Sequence, residues 1–162
     1  MGGEREAMKW VFATAEFIWR FRQQLRFGER SRLPLKLVRM ELREGYAECE
    51  WIARRSDPWD VDVAPWVRDQ NETWQALRDA LSVREALFAS IPQVQGARLK
   101  AYRQQEAGAP ELIIAGTVSR EDEPPRVSSL AMKAQLYGFQ FFLEDGSLRP
   151  LGISKALQLA TE

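Results

Sequence analysis

Residues 111–146, ELIIAGTVSREDEPPRVSSLAMKAQLYGFQFFLEDG, decide the fold class. Glu111 to Ser119 is apolar and β-branched and reads as a strand. Arg120 to Pro125 is charged and holds two prolines, the composition of a loop. Val127 to Tyr137 sets Leu130, Ala131 and Ala134 on one face of a short helix, and Gly138 stops it. Phe139 to Leu143 is a second apolar strand, and Asp145-Gly146 is a tight-turn dipeptide. Leu112, Ile114, Val118, Leu130, Phe139 and Phe141 are the core residues this strand, helix and strand predict.

Working outward, Ala97 to Gln104 pairs with Glu111 to Ser119 as a hairpin around Glu106 to Pro110. Before it, Asn71 to Ser90 is a helix with Trp74, Leu77, Leu81 and Phe88 on one face, Asn71 as its cap and Pro92 beyond its end. Leu35 to Arg54 is another hairpin, turning at Glu44-Gly45. A two-residue turn there pairs Leu42 with Ala47, Met40 with Cys49 and Val38 with Trp51, all on one face. Arg39, Glu41, Arg43, Glu48 and Glu50 then line the other, so one side of the sheet meets water. Residues 56–65, SDPWDVDVAP, connect hairpin to helix, with Asp57-Pro58 as a cap and first-turn pair. Trp51, Trp59, Trp66 and Trp74 cluster about this connector and are expected to pin it. Beyond Gly146, Leu148 to Leu151 returns as a short edge strand.

The element order is α-ββ-α-ββ-α-β. It implies an α+β fold, an antiparallel or mixed sheet with helices packed on one face. Residues 1–30 form an N-terminal amphipathic helix, 31–152 a single α+β domain and 153–162 a tail. A chain of 162 residues supports a core without disulfide staples.

Composition narrows the chemistry. There is no histidine, which removes the commonest general base and the commonest zinc ligand. Cys49 is the only cysteine, so neither an internal disulfide nor a thiolate cluster exists, and Cys49 falls on the core face. Asp57, Asp60 and Asp62 lack the glycine and distal glutamate of a calcium loop and read as turn residues. Glu121, Asp122 and Glu123 are consecutive, point in different directions and read as a solvated run. No catalytic residue, metal or cofactor is expected.

The net charge is zero but segregated. Arg20 to Arg43 carries eight basic residues and Glu44 to Glu72 eight acidic ones. These blocks are expected to neutralise each other within the fold. With zero net charge and an acidic block, a large nucleic-acid footprint is not expected. The most apolar run, Trp10 to Phe21, is broken by Glu16 and Arg20 and falls short of the ~20 residues of a membrane span. Glu4 and Glu6 spoil a positively charged leader. A cytoplasmic location is expected.

Glu4 to Phe27, free of glycine and proline, reads as a helix of about six turns. Lys9, Glu16, Arg20, Gln23 and Gln24 share one narrow arc, and apolar residues cover most of the rest. That exceeds the stripe one contact face uses. Core packing, a subunit interface and a lipid surface all remain open as fates of the excess. The candidate contact residues are Trp10, Phe17, Trp19 and Phe21, with Arg20, Arg22 and Arg26 beside them.

Residues 71–145 also resemble a BON-type domain, a small αββαβ module of some bacterial envelope and stress proteins. The likeness lies in a helix, a hairpin whose second strand reads LIIAGTVSRED, and SSLAMKAQLYGFQFF, with Gly116 and Gly138 at the pattern's glycines. It implies a binding role, often at a lipid or envelope surface, without catalysis. The expected function is therefore a non-enzymatic interaction or assembly module, associating with itself or another protein through the N-terminal helix. The alternatives are a peripheral membrane or anionic-surface protein using the same arginines and tryptophans, and an enzyme of carboxylate chemistry.

Overall fold

The fold, a computed structural model, describes residues 2–24, 35–55 and 62–152. Its elements are α1 (Gly2–Gln24), β1 (Lys36–Arg43), β2 (Tyr46–Ile52), α2 (Pro65–Ser90), β3 (Gly96–Arg103), β4 (Glu111–Ser119), α3 (Leu130–Leu136), β5 (Phe139–Glu144) and β6 (Ser147–Arg149). This is an α+β fold. The six strands form one mixed sheet in chain order. Each neighbouring pair is antiparallel except β2 and β3, which run parallel because α2 carries the chain between the two hairpins.

Turn chemistry fixes the hairpins. Gly45 takes φ of 73° and closes β1 onto β2. At the β5–β6 turn Asp145 and Gly146 both have positive φ, 52° and 76°, as the primed hairpin turn requires. The β1–β2 register pairs Leu42 with Ala47 and Met40 with Cys49, as the alternation predicts. It differs at the far end, where a bulge at Val38 sets Leu37 opposite Trp51. Val38 is turned outward by the extra residue and is 54% exposed.

Cross-strand rows build the core face. Met40, Cys49, Leu99, Gly116 and Phe139 form one row, and Leu37, Trp51, Ala101, Ile114 and Phe141 another. Trp51 and Cys49 are shut off from water, and burial pushes the Cys49 thiol far above its ordinary value. On this face lies α2, whose Leu77, Ala80, Val83 and Leu87 join the same core. It touches β3, β4 and β6, while α3 sits against α2 and β5. Of the core residues the sequence predicts, Ile114, Val118 and Phe139 are buried, and Leu130 and Phe141 pack against them half-buried. Leu112 belongs instead to a small second cluster with Ala115 and Leu151.

The second helix starts earlier than the sequence predicts. Pro65 occupies its first turn, where the missing N–H costs nothing, and Ala64 rather than Asn71 precedes it. Asn71 is therefore an interior residue. Nor do the tryptophans act together: Trp51 is core, Trp74 is half-buried and Trp66 is 71% exposed. Helix α3 begins at Leu130, capped by the Ser129 side chain, which accepts from the Met132 N–H. The expectations at Asp57, Pro58, Trp59, Asp60 and 153–162 lie outside the described residues.

Polar keys lock the layers. Arg54, just past β2, donates from Nε to Asp79 Oδ2 at 2.9 Å and from Nη2 to Oδ1 at 2.6 Å, and Gln75 Nε2 donates to the same Oδ1 at 2.8 Å. Arg120 donates to the carbonyls of Val94, Phe88 and Ile91 at 2.8, 2.8 and 2.9 Å, tying the β4–α3 loop to the end of α2. Arg84 reaches the Ser119 carbonyl at 2.8 Å and lies 4.0 Å over the Tyr137 ring.

Candidate functional site: the outer face of the first helix

Free of proline throughout and of glycine after Gly3, α1 runs along α2. Its inner face is set by Phe17, which is fully buried in the common core, with Ala13 and Ile18 packed against it. At 100° per residue, Met8, Phe12, Ala15 and Trp19 lie on the side away from Phe17. They are exposed, Met8 to 62%, Phe12 to 69% and Trp19 to 62%, and Val11 beside them to 66%. An amphipathic helix satisfied by its own domain would turn polar residues outward there. This one is apolar on both sides.

The structure therefore separates the candidate contact residues. Trp19 stands on the outer face. Phe17 does not; it is a fully buried core residue, a distinction the sequence alone left open because both helix faces are aromatic. Trp10, Arg20, Phe21 and Arg22 belong to α1, but their side chains lie outside the described residues, as does all of Arg26. Sequence reasoning missed Met8, Val11 and Phe12 as outer-face residues. The signal was present, since they share the arc of Trp19, but nothing in the sequence says which of two apolar arcs meets α2.

The other surfaces are polar or interrupted. The face of the sheet opposite the core carries the alternating residues of β1 to β4, and no described helix lies on it. Arg39 bonds Glu41 and approaches Glu48 and Glu50 at 3.6 and 3.9 Å. Arg43 lies 3.1 Å from Glu41, and Arg98 3.6 Å from Glu48. The Arg39 hydrogen bond, and then that of Arg43, hold the Glu41 carboxyl below its ordinary range. Tyr102 donates to Glu50 at 3.0 Å, and burial, then that bond, pushes its hydroxyl up to about 12. The basic and acidic blocks thus cancel partly within this face.

A cavity of about 30 Å³ adjoins Arg54, Arg103, Asp69 and Glu72, room for about one water molecule. An open groove of about 230 Å³ lies between Trp74 and Arg78 of α2 and Ser128 to Leu130. Glu121, Asp122 and Glu123 are exposed, and Asp122 only turns back to accept from the Ser119 N–H at 3.1 Å. Among the described residues no three cysteine, aspartate or glutamate side chains converge as metal ligands, and no helix is long and apolar enough to cross a membrane. Comparison with known proteins gives no family model that matches the chain, no curated protein similar to it and no solved structure that matches it.

Proposed function

We propose that the protein is a non-catalytic association module that presents the outer face of α1 to a protein partner. The observation that carries this is the exposure of Met8, Val11, Phe12 and Trp19 along a helix whose opposite face is already buried. A contiguous exposed apolar patch is costly in water and marks an interaction surface. Aromatic side chains such as Phe12 and Trp19 supply the anchors that dominate interface energies. The lack of histidine and the mutual pairing of carboxylates and arginines on the open sheet face support a role without catalysis. The binding role that the αββαβ resemblance implies agrees with it.

The test is the mass of the particle that contains the chain, measured both for the pure protein and in lysate of the cells that make it. A mass above 18.7 kDa is expected in at least one of them. The doubly substituted Phe12→Ser/Trp19→Ser chain is expected to run at the mass of the single chain with unchanged cooperative unfolding. A single-chain mass in both settings overturns the association reading.

A further inference from the structure

The exposed residues of α1 are not only apolar; their spacing follows a rule. Arg5, Met8, Phe12, Ala15 and Trp19 are all exposed and stand 3, 4, 3 and 4 residues apart. This is the heptad spacing by which two helices pack along a common seam. Along the seam the volumes alternate, with medium Met8, large Phe12, small Ala15 and large Trp19.

Resting on the association reading, we propose that the partner is a second copy of this chain, its α1 antiparallel to the first across a two-fold axis. In that register Phe12 packs over the partner's Ala15, and Met8 over the partner's Trp19. Reversing the sequence Met8, Phe12, Ala15, Trp19 brings a larger side chain opposite a smaller one in every layer. A parallel pair does the opposite. It sets Ala15 on the partner's Ala15, leaving a void, and crowds Trp19 against the partner's Trp19. Close packing at native density selects the antiparallel arrangement. The seam is thus complementary to its own reverse, the property an isologous interface needs and an unlike partner does not. The inner face, fixed by Phe17 and Ala13 on α2, holds the seam outward on a rigid body. Arg5 bounds the apolar layers at the N-terminal end. Four layers make a small interface, so the dimer belongs to the weak, concentration-dependent class.

The experiment is sedimentation equilibrium of the full chain over a wide concentration range, with three variants. The wild type is expected to pass from 18.7 kDa to twice that mass as concentration rises. Phe12→Ala is expected to weaken the dimer roughly a hundredfold, since each truncation of about tenfold counts twice across the axis. Ala15→Phe alone crowds the partner's Phe12 and weakens it as well. The exchanged chain Phe12→Ala/Ala15→Phe restores a large residue opposite a small one and is expected to recover to within about tenfold of wild type. All substituted positions are solvent-exposed on the single chain, so unchanged chemical unfolding of each variant at low concentration serves as the folding control.

A single-chain mass at every concentration overturns the self-pairing. So does an exchanged chain no better than the single variants, because the register is then wrong. A pure protein that stays single while its lysate complex depends on Phe12 and Trp19 overturns the second copy but leaves the association reading standing. Flotation of a single-chain protein on anionic vesicles, lost on Phe12→Ser/Trp19→Ser, overturns both in favour of a lipid contact.

Discussion

Arg54 and Asp79 stand 25 residues apart and meet as a two-bond ion pair whose side chains are 1% and 2% exposed. One leaves the end of β2 and the other sits on the inner face of α2. The pair therefore fixes where the crossover helix sits on the sheet at the one parallel strand junction. A buried pair of this kind is seldom stabilising against an apolar replacement, but losing one member leaves an uncompensated group.

Removal of Arg54 alone is the harsher test of that pair. Arg54→Met strands the Asp79 carboxylate in the core and is expected to cost about 3–5 kcal/mol at neutral pH, read by urea unfolding. Burial raises the Asp79 carboxyl above its ordinary value, against the pull of Arg54 and Gln75. A carboxyl raised in the folded state is protonated in both states below its unfolded value, and there it carries no penalty. As pH rises between the unfolded and the folded value, the unfolded chain ionises first and stability falls. Without Arg54 the raising force is unopposed by its strongest partner, so the deficit of Arg54→Met relative to wild type is expected to shrink on acidification. A deficit that stays constant from neutral to mildly acidic pH contradicts this.

The two glycines at the β4–β5 junction are expected to resist substitution for different reasons. A Cβ on Gly116 would meet Phe139 Cδ1 at 2.8 Å and the Phe139 Cα at 3.0 Å, so Gly116→Ala must push two paired strands apart. Overpacking of this kind costs about 1–3 kcal/mol. Gly138 adds a left-handed backbone, φ 106°, to a contact of 2.5 Å with the Thr117 carbonyl. Gly138→Ala is expected to cost more than Gly116→Ala, by thermal unfolding. Equal costs would mean that the strands yield easily.

Arg120 is expected to behave as a structural clamp, not as part of a solvated acidic loop. Its three donors close the carbonyls at the end of α2, and its guanidinium lies 5.0 Å from the Phe88 ring centre. Arg120→Ala is expected to lose about 2–4 kcal/mol, because bonds from a charged donor are worth more than neutral ones. Arg120→Lys, a point charge without the fork, recovers only part of it. The unfolding midpoint of the two variants in denaturant decides the matter, and an unshifted midpoint for Arg120→Ala refutes the clamp.

Tyr102 is expected to ionise late in a spectroscopic titration, at about 12, with burial as the main cause and Glu50 as the second. Removing the carboxylate as Glu50→Gln lowers that midpoint. The sign for stability follows: an acid raised on folding disfavours the fold as pH climbs from its unfolded value through about 12, so this part of alkaline unfolding is milder without Tyr102. A Tyr102→Phe chain that unfolds at the same alkaline pH as wild type contradicts it.

Much of the fold was legible in the sequence because short-range rules carry it. Strand alternation placed Ala47, Cys49 and Trp51 on one face and Arg39, Glu41, Glu48 and Glu50 on the other. Glycine and Asp-Gly signals located the turns, and the element order led to the α+β class. What the alternation lacked was long-range information. It missed the bulge at Val38, which depends on how β1 meets β2, and the start of α2 at Pro65.

The site was less legible still. The sequence by itself established that α1 is apolar on more than one side, from the order of its residues, and that the chain has no histidine to work with, from its composition. Only the tertiary structure decided that Phe17 faces α2 while Met8, Phe12 and Trp19 face outward. It alone joined Arg54 to Asp79 and Arg120 to the end of α2. The physical reason is the same in each case. A helix wheel gives the angle between two side chains of one element, but which angle is turned inward depends on the packing of elements distant in sequence.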